Sequence, residues 1–340
     1  MNRRPLGQTG LHVSELCLGT MSFGWRTRPA TAITLLDAFH GAGGNLIEAT
    51  QICPDVLTQP DWIGLPEACV GEWLNSRAVR RSELIIATRL IWSSTPALPA
   101  ENLARCLEAS LRRLQTDYLD LLVCDWTPSS DRLDDVLHQL TQLVEQGKVR
   151  QLAVPSFARW EMSESVRQTS SRSLEPIMTV QADYSLLDRR SEISLLAHPH
   201  RRQLGFLARS PLAGGYLTMA KDRPATHDLQ RQRTLNLRYD HRKGRAIRAA
   251  VEAVAQELGA TMAQVALAWV LSNPAVSAAV IAPLSANQLQ DSIEATNLDL
   301  AWNQLRRLDL LSSSDPGQDE TAGSPFVLVE QHEPAETLAS

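Results

Sequence analysis

Long hydrophobic runs are missing from this sequence of 340 residues. A membrane-spanning helix needs about 18 or more consecutive apolar residues, and no segment reaches that length. The opening residues MNRRPLGQTG contain two arginines, but no apolar stretch follows them as it would in a signal peptide. We therefore predict neither a membrane segment nor a signal peptide, and we expect a cytoplasmic protein.

Cysteine is scarce too, because the chain has five and no two of them form a CxxC pair. The five are Cys17, Cys53, Cys69, Cys106 and Cys124. This odd count without paired spacing argues against a disulfide framework and against a structural zinc site. We expect thiols in a reducing compartment and no bound metal.

An excess of charge of one sign is also missing. The formal net charge is −5, and acidic and basic residues are mixed along the chain, so no basic face favours a nucleic acid. Hydrophobic residues make up 44% of the sequence, enough for a large core. The partner we expect is a small-molecule ligand, and neither a nucleic acid nor a membrane.

What the sequence does contain is a regular alternation of short apolar runs and longer amphipathic segments. This order is typical of βαβ units and a parallel sheet, and eight runs suit a closed (β/α)8 barrel, an α/β fold. The eight runs are Glu15–Leu18, Leu46–Glu48, Leu84–Thr88, Leu119–Cys124, Val149–Val154, Ile177–Ala182, Gly205–Ala208 and Ala278–Ile281. Helices are predicted between them, for example over Ala100–Gln115 and Leu133–Gln146.

Three further segments lie outside this alternation. PLGQTGLHV is predicted to be a hairpin that turns at Gln8-Thr9-Gly10. The polar stretch Lys221–Tyr239 is predicted to be a long loop, and the Ser/Asp/Glu-rich residues 312–340 a poorly ordered tail. The barrel domain is therefore expected over residues 1–311.

Several long segments resemble bacterial, NADPH-dependent aldo-keto reductases, in the same order along the chain. They are PLGQTGLHVSELCLGTMSFG, ASLRRLQTDYLDLL, LVEQGKVRQLAV, SPLAGGYLT and ATMAQVALAWVLSNPAV, and together they span roughly residues 3 to 310. The resemblance implies a single TIM barrel whose pocket lies at the C-terminal ends of the strands.

The resemblance also implies where catalytic residues should lie, and there the sequence departs from the family. The family reduces carbonyls with an Asp, a Tyr, a Lys and a His. Its pattern N-F-I-D-T-A-D-V-Y falls without gaps on Asn45–Cys53, which puts Glu48 at the Asp position and Cys53 at the Tyr position. The Lys position falls on Arg89 and the His position on Asp125. All four positions are therefore substituted.

The cofactor contacts that the resemblance implies are only partly present. Leu284 stands at the basic position for the 2′-phosphate, Ser292 at the adenine-contacting Asn, and Pro155-Ser156 at the Ser-Asn pair that holds the carboxamide. Arg209 stands at the Tyr that stacks on nicotinamide. The contacts that persist are Gln181 and a pyrophosphate-wrapping loop with Ser210, Leu212 and Gly214. We expect no cofactor, or weakly bound NADP(H).

Each substituted residue has a structural and a functional interpretation. Glu48 and Arg89 are predicted to form a direct ion pair, either as packing in a disused pocket or as part of an acid–base or anion-holding site. Cys53 is either an inert apolar residue or a thiolate nucleophile beside Arg89. Trp126 is either pocket wall or plain packing. Arg209 is predicted to point into the nicotinamide slot.

A buried guanidinium needs carboxylate partners, and Asp125 and Asp183 are the nearest candidates for Arg209. Two functions follow from these substitutions. The favoured one is a non-redox enzyme or a pseudoenzyme whose pocket serves proton transfer, elimination, cyclisation or the binding of a small molecule, anionic ligands included. The alternative is a divergent NAD(P)(H)-dependent oxidoreductase with a different proton donor.

Overall fold

The computed structural model describes residues 1–52, 64–77, 79–91, 100–125, 133–197, 203–218 and 229–313. Their ten strands are β1 (Arg3–Pro5), β2 (His12–Ser14), β3 (Leu16–Gly19), β4 (Leu46–Ile52), β5 (Ile85–Ile91), β6 (Leu119–Asp125), β7 (Val149–Val154), β8 (Thr179–Asp183), β9 (Gly205–Arg209) and β10 (Ala278–Ile281).

Helices follow most of these strands. The α-helices of the described residues are α1 (Pro29–Gly41), α2 (Leu65–Ser76), α3 (Ala100–Leu114), α4 (Leu133–Glu145), α5 (Phe157–Thr169), α6 (Arg190–Ala197), α7 (Leu229–Tyr239), α8 (Arg242–Leu258), α9 (Met262–Ser272), α10 (Ala286–Glu294) and α11 (Trp302–Ser312). Short 3₁₀ helices cover Arg81–Glu83, Ala213–Thr218 and Ala295–Asn297.

Eight of the strands close into a parallel barrel in the order β10-β3-β4-β5-β6-β7-β8-β9. The prediction of a (β/α)8 barrel is therefore confirmed. Strands such as β6 are buried almost throughout, because helices cover the outside and side chains fill the inside. This is why they read as continuous apolar runs in the sequence.

The predicted hairpin is confirmed as β1 paired antiparallel with β2, and it closes the N-terminal end of the barrel. Leu6 in its turn is fully buried and packs in the same apolar cluster as interior barrel residues, among them Leu46, Leu121 and Leu207. Gly7 lies so close to β9 that an added Cβ would come within 2.3 Å of the Gly205 backbone nitrogen. With this end filled, any opening for a ligand inside the barrel is at the opposite, C-terminal end.

Two expectations are corrected. The stretch Lys221–Tyr239 is not a loop throughout, because its second half forms α7, which packs on the 3₁₀ helix after β9. The polar sequence hid this helix, whose order depends on tertiary contacts more than on its own weak amphipathicity. Cys17, Cys69 and Cys124 are free thiols, but Cys106 of α3 is disulfide-bonded, contrary to the expectation from composition.

Among the described residues, no single helix is long and apolar enough to span a membrane. The pair α8 and α9 passes such a test only jointly, and it is bent by 101°.

Candidate functional site

The charged residues of the barrel mouth follow from the alternation of side chains along each strand. Along each strand, every second side chain points into the barrel. The residue two positions after an interior apolar residue therefore also points inward, one layer nearer the C-terminal end. The pairs of interior apolar residue and charged successor are Leu46 and Glu48, Ala87 and Arg89, Val123 and Asp125, and Leu207 and Arg209. The upper layer of the barrel is therefore ionic and the layer below it is apolar.

Four of the upper-layer side chains form a continuous chain of hydrogen bonds across the barrel. The Gln181 side-chain amide nitrogen donates to a carboxylate oxygen of Glu48, and its amide oxygen accepts from Arg89 Nη1 at 3.0 Å. Arg89 Nη2 donates to Asp125 Oδ2 at 2.6 Å. Glu48 and Arg89 are each only 5% exposed. Both groups of the Gln181 amide are thus engaged inside the site.

The predicted direct ion pair between Glu48 and Arg89 is wrong. In the register of β4 and β5, Glu48 lies opposite Ala87, and Arg89 lies opposite Thr50, two residues farther along the barrel. Two residues of a strand span about 6.6 Å, so the Arg89 guanidinium is carried above Glu48. Gln181 bridges the two side chains, and the direct partner of Arg89 is Asp125.

Arg209 binds the carboxylate that was one of its two predicted partners. Arg209 and Asp183 are directly opposite each other on β9 and β8, and Arg209 Nε donates to Asp183 Oδ1 at 2.7 Å. Burial alone would lower the pKa of Arg209, but the carboxylates of Asp183, Asp125 and Glu48 raise it. The Arg209 guanidinium is therefore a permanent cation, 14% exposed, at the end of β9.

Three further charged residues extend this pair, and the sequence analysis did not single them out. Arg238 Nη2 donates to Asp188 Oδ2 at 3.2 Å and lies 4.0 Å from Asp183 Oδ2. Arg190 binds Asp188 through Nε at 2.9 Å and Nη2 at 2.6 Å. Arg238 was missed because its segment was predicted to be a loop. The signal for Arg190 and Asp188 was the short D-R-R run at residues 188–190, shortly after the end of β8 at Asp183.

The acidic member Asp183 is held ionised by its neighbours. Burial opposes its ionisation, but Arg209, Arg238 and Arg89 together bring the pKa of Asp183 below its usual value. Next to this group, burial with Asp188 and Asp183 raises the pKa of the Tyr239 hydroxyl to about 12, against the opposing effect of Arg238. Tyr239 therefore stays protonated at neutral pH.

Arg159 is a fourth residue near the mouth that the sequence did not indicate. It lies in the first turn of α5, where Ser156 caps the helix by accepting from the Arg159 backbone N–H at 3.2 Å. Its half-buried guanidinium donates no hydrogen bond to any described residue. Burial lowers the pKa of Arg159, and the nearby Asp125 carboxylate opposes that shift. That this arginine has no hydrogen-bond partner among the described residues was not detectable from the sequence, because pairing depends on tertiary contacts.

The loop after β9 keeps the conformation that its glycines and small residues permit. Ser210 and Gly214 have φ values of 53° and 67°, in the left-handed region, and Leu212 is half-buried between them. At the start of α10, the Leu284 backbone N–H donates to the Gln288 side chain at 2.8 Å. The Ser292 hydroxyl is turned into its own helix, donating to the Gln288 carbonyl at 2.9 Å.

Two predicted site residues, Cys53 and Trp126, lie outside the described residues. The thiols that are described next to the site do not replace Cys53 as a nucleophile. Burial, reinforced by Glu48, raises the pKa of Cys17, and burial with Asp125 raises that of Cys124. Within the described ranges, no three His, Cys, Asp or Glu side chains are grouped as a metal site would require.

Comparisons with known proteins cover the whole of this barrel. The Aldo/keto reductase family matches residues 15–312. The chain is 32% identical over 331 residues to the uncharacterized oxidoreductase YrpG of Bacillus subtilis, covering 93% of this chain and 98% of that protein. It is 31% identical over 340 residues to the protein Tas of Escherichia coli, covering 91% and 97% of the two chains.

Among solved structures, the chain is similar to the thermostable aldo-keto reductase Tm1743, which was crystallised in complex with the inhibitor epalrestat. The TM-score is 0.69 at 26% identity, and the match covers 92% of this chain and 100% of that one. The matched family segment includes every mouth residue described above.

Proposed function

This chain belongs to the Aldo/keto reductase family, and from the side chains at its barrel mouth we propose that it does not carry out ordinary NADPH-dependent carbonyl reduction. Instead, the mouth holds a small anionic molecule, for binding or for non-redox acid–base chemistry. The observation that carries this proposal is the largely buried pair of Arg209 and Asp183 at the ends of β9 and β8. The resemblance puts a nicotinamide-stacking Tyr at the position of Arg209.

A buried guanidinium at that position is unfavourable for the family's cofactor in two ways. Its volume competes with the nicotinamide ring for the same space. Its charge also repels the positively charged ring of NADP⁺, an interaction that is strong where little water screens it. Because Asp183 is ionised and hydrogen-bonded to Arg209, moving the arginine aside would leave a buried carboxylate without its partner.

Two other contacts argue the same way. Gln181, expected to hold the carboxamide, uses its amide nitrogen for Glu48 and its amide oxygen for Arg89. Leu284 brings no charge to the 2′-phosphate position, and its backbone N–H is already bound to Gln288. The residues present therefore do not fit NADP(H) in the family's manner, and we derive no reaction step through that cofactor.

The acid–base groups that the described mouth offers are carboxylates. Arginine does not release its proton, so Arg89 acts as a fixed cation and orients its neighbours. Asp125 is the more accessible carboxylate, with 29% of its side chain exposed against 5% exposure of Glu48. A carboxylate held by a cation and open to the mouth can accept a proton from a bound molecule. Asp125 is the residue we assign to that role.

The proposal is tested by titrating the purified protein with NADPH and with NADH while following energy transfer from tryptophan to the nicotinamide. We expect no saturable binding, and no turnover above buffer with a panel of aldehydes and quinones. The double variant Arg209→Tyr with Leu284→Arg should bind NADPH more tightly than the parent. Saturable reduction of any carbonyl by the parent protein would refute the proposal.

A second candidate is a divergent NAD(P)(H)-dependent oxidoreductase. It is favoured by one observation, which is that the relative YrpG is described as an oxidoreductase and is similar over nearly its whole length. The Ser210–Gly215 loop would then hold the pyrophosphate, and a proton donor other than the family's Tyr would be needed. Tight NADH or NADPH binding by the parent, with Arg209→Tyr having no effect on it, would select this candidate.

A further inference from the structure

Two neighbouring elements of the barrel mouth each present a charged group that the protein leaves partly unused. Asp125 is the last residue of β6, and Arg159 lies in the first turn of α5, directly after β7. Strands β6 and β7 are adjacent and parallel, so both residues lie at the same end of the barrel on neighbouring units. This placement brings a carboxylate and a guanidinium to one side of the opening.

The Asp125 carboxylate is fixed in place but is only half engaged. Its Oδ2 accepts the hydrogen bond from Arg89 Nη2, and no described residue donates to its Oδ1. Arg89 is itself hydrogen-bonded to Gln181, so Asp125 is held in place by a cation whose own position is fixed. The free oxygen of an ionised, oriented carboxylate is a strong hydrogen-bond acceptor.

Arg159 presents the complementary group. A guanidinium has five N–H donors, and none of those of Arg159 is used by a described residue, although the side chain is half-buried. None of its nitrogens is among the fully buried polar atoms that lack a partner, so these donors remain accessible to a ligand anion. Arginine is well suited to this role because its planar fork binds a carboxylate through two parallel hydrogen bonds.

Asp125 and Arg159 are close neighbours, yet they do not pair with each other. The carboxylate is near enough to act on the ionisation of Arg159, but no nitrogen–oxygen pair between the two lies within 4.0 Å. A direct ion pair would have neutralised both groups. Because they do not pair, a hydrogen-bond acceptor and an anion-binding guanidinium lie near each other at the C-terminal end of the barrel.

We propose that Asp125 and Arg159 together recognise the head group of an α-hydroxy or α-amino acid. Arg159 binds the carboxylate of the ligand, and Asp125 accepts a hydrogen bond from the hydroxyl or ammonium group on the adjacent carbon. This inference rests on the proposed function, because it names the class of the anionic molecule at the same mouth. The shared chemistry is a carboxylate with a neighbouring hydrogen-bond donor.

The test is a calorimetric titration of the full chain with the natural amino acids and with glycolate, lactate, malate and mandelate. Each ligand that binds is compared with the matched acid that lacks the donor: acetate for glycolate, propionate for lactate and alanine, succinate for malate, and phenylacetate for mandelate. We expect at least one binder, and a matched acid that binds at least about tenfold more weakly, the scale for losing one charge-assisted hydrogen bond. This comparison uses the parent protein and does not depend on the folding of a variant.

Two variants assign the two contacts. Arg159→Gln should weaken binding by about tenfold or more, with partial recovery in Arg159→Lys, because lysine keeps the charge but not the fork. Asp125→Asn should reduce the preference for the ligand over its matched acid. The control is Arg80→Gln, since Arg80 is 80% exposed and lies before β5, near the N-terminal end of the barrel. It should bind like the parent.

The inference is overturned if no acid of the panel binds, if the matched acids bind equally well, or if Arg159→Gln binds like the parent. These outcomes are separable from failure of the proposed function, which a parallel NADPH titration reports. Reduction of a carbonyl with NADPH would overturn the proposed function. Absence of both NADPH binding and acid binding would overturn only the assignment of the ligand class.

Discussion

The barrel carries a buried ionic cluster at each end, and the two differ in how completely they are satisfied. At the N-terminal end, Asp120 accepts hydrogen bonds from Arg150 and from the Ile86 backbone N–H, one on each oxygen, and it forms an ion pair with Arg81 at 2.7 Å. Arg81 in turn donates from all three of its nitrogens, to the Thr116 hydroxyl and to two backbone carbonyls.

At the C-terminal end the corresponding groups are left open. Arg89 uses both terminal nitrogens, but its buried Nε has no partner. No described residue donates a hydrogen bond to the second oxygen of Asp125, and none accepts one from the Arg159 guanidinium. A buried ion pair alone therefore does not mark a functional site in this fold. What distinguishes the C-terminal cluster from the N-terminal one is that some of its polar groups lack a hydrogen-bond partner among the described residues.

The largest effect that this comparison predicts is for Arg89→Ala. Removing the arginine leaves the Asp125 carboxylate and the Gln181 amide oxygen without their donor in a largely buried site. We expect a loss of about 3–5 kcal/mol in the free energy of unfolding, measured by urea denaturation. Arg80→Ala is the exposed control, with an expected change within about 0.5 kcal/mol. Equal midpoints for Arg89→Ala and the parent would show that the chain of bonds has no structural role.

The next prediction concerns the closed end. In Gly7→Ala, the new Cβ meets the Gly205 backbone at 2.3 Å, and alanine also resists a φ of 54°. We expect a destabilisation of about 2–4 kcal/mol with unchanged ligand binding at the mouth. Gly10→Ala is the matched control, because Gly10 also has a positive φ of 78° but has nothing within 4 Å of an added Cβ. Altered ligand binding in folded Gly7→Ala would contradict the separation of the two ends.

A smaller effect is expected for Arg81→Ala. Asp120 keeps its contacts with Arg150 and the Ile86 N–H, so its carboxylate still has partners. Asp125 would lose its hydrogen-bond donor after removal of Arg89. We expect a loss of about 1–3 kcal/mol in thermal or urea unfolding, less than for Arg89→Ala. If Arg81→Ala loses more unfolding free energy than Arg89→Ala, the additional partners of Asp120 do not explain the difference between the two ends.

The smallest predicted effect is a pH dependence at the mouth. The pKa of Asp183 is lowered in the folded chain, despite burial, by Arg209, Arg238 and Arg89. Its stabilising contribution is therefore present above the unfolded pKa, about 3.9, and is lost as the pH falls through the lower folded pKa. The difference in unfolding free energy between the parent and Asp183→Asn should shrink by about 1 kcal/mol between pH 7 and pH 3. If this difference in unfolding free energy grows as the pH falls, the pKa of Asp183 is raised in the folded chain and the prediction is wrong.

Most of the fold was predictable from local patterns. The eight barrel strands were expected within about two residues of their starts, because strands buried on both faces are unbroken apolar runs. Strand β4 was underestimated most, since the apolar run Leu46–Glu48 stops where the polar upper layer begins, while the strand continues to Ile52. Strand β5 likewise continues to Ile91, beyond the run that ended at Thr88. Helix α7 was missed for the opposite reason, because its sequence is polar and its packing is not local.

For the site, the sequence identified residues better than it identified partners. Arg209 with Asp183 was predictable, because the residues at the ends of adjacent strands meet in register. Glu48 with Arg89 was not, because adjacent strands of the barrel are staggered and Arg89 lies opposite Thr50. Arg159 and Arg238 lie on helices, where no strand register relates them to the mouth.

The sequence by itself thus determined which residues face the barrel interior and that its upper layer is ionic, since two-residue alternation is a property of each strand alone. The tertiary structure decided which charges meet. The stagger of the closed barrel sets the height of each side chain, so that Gln181 lies between Glu48 and Arg89 and Asp125 receives the arginine. Among the described residues, it also left the Arg159 guanidinium and one oxygen of Asp125 without a hydrogen-bond partner, because pairing requires two groups within hydrogen-bond reach and only the assembled barrel fixes that distance.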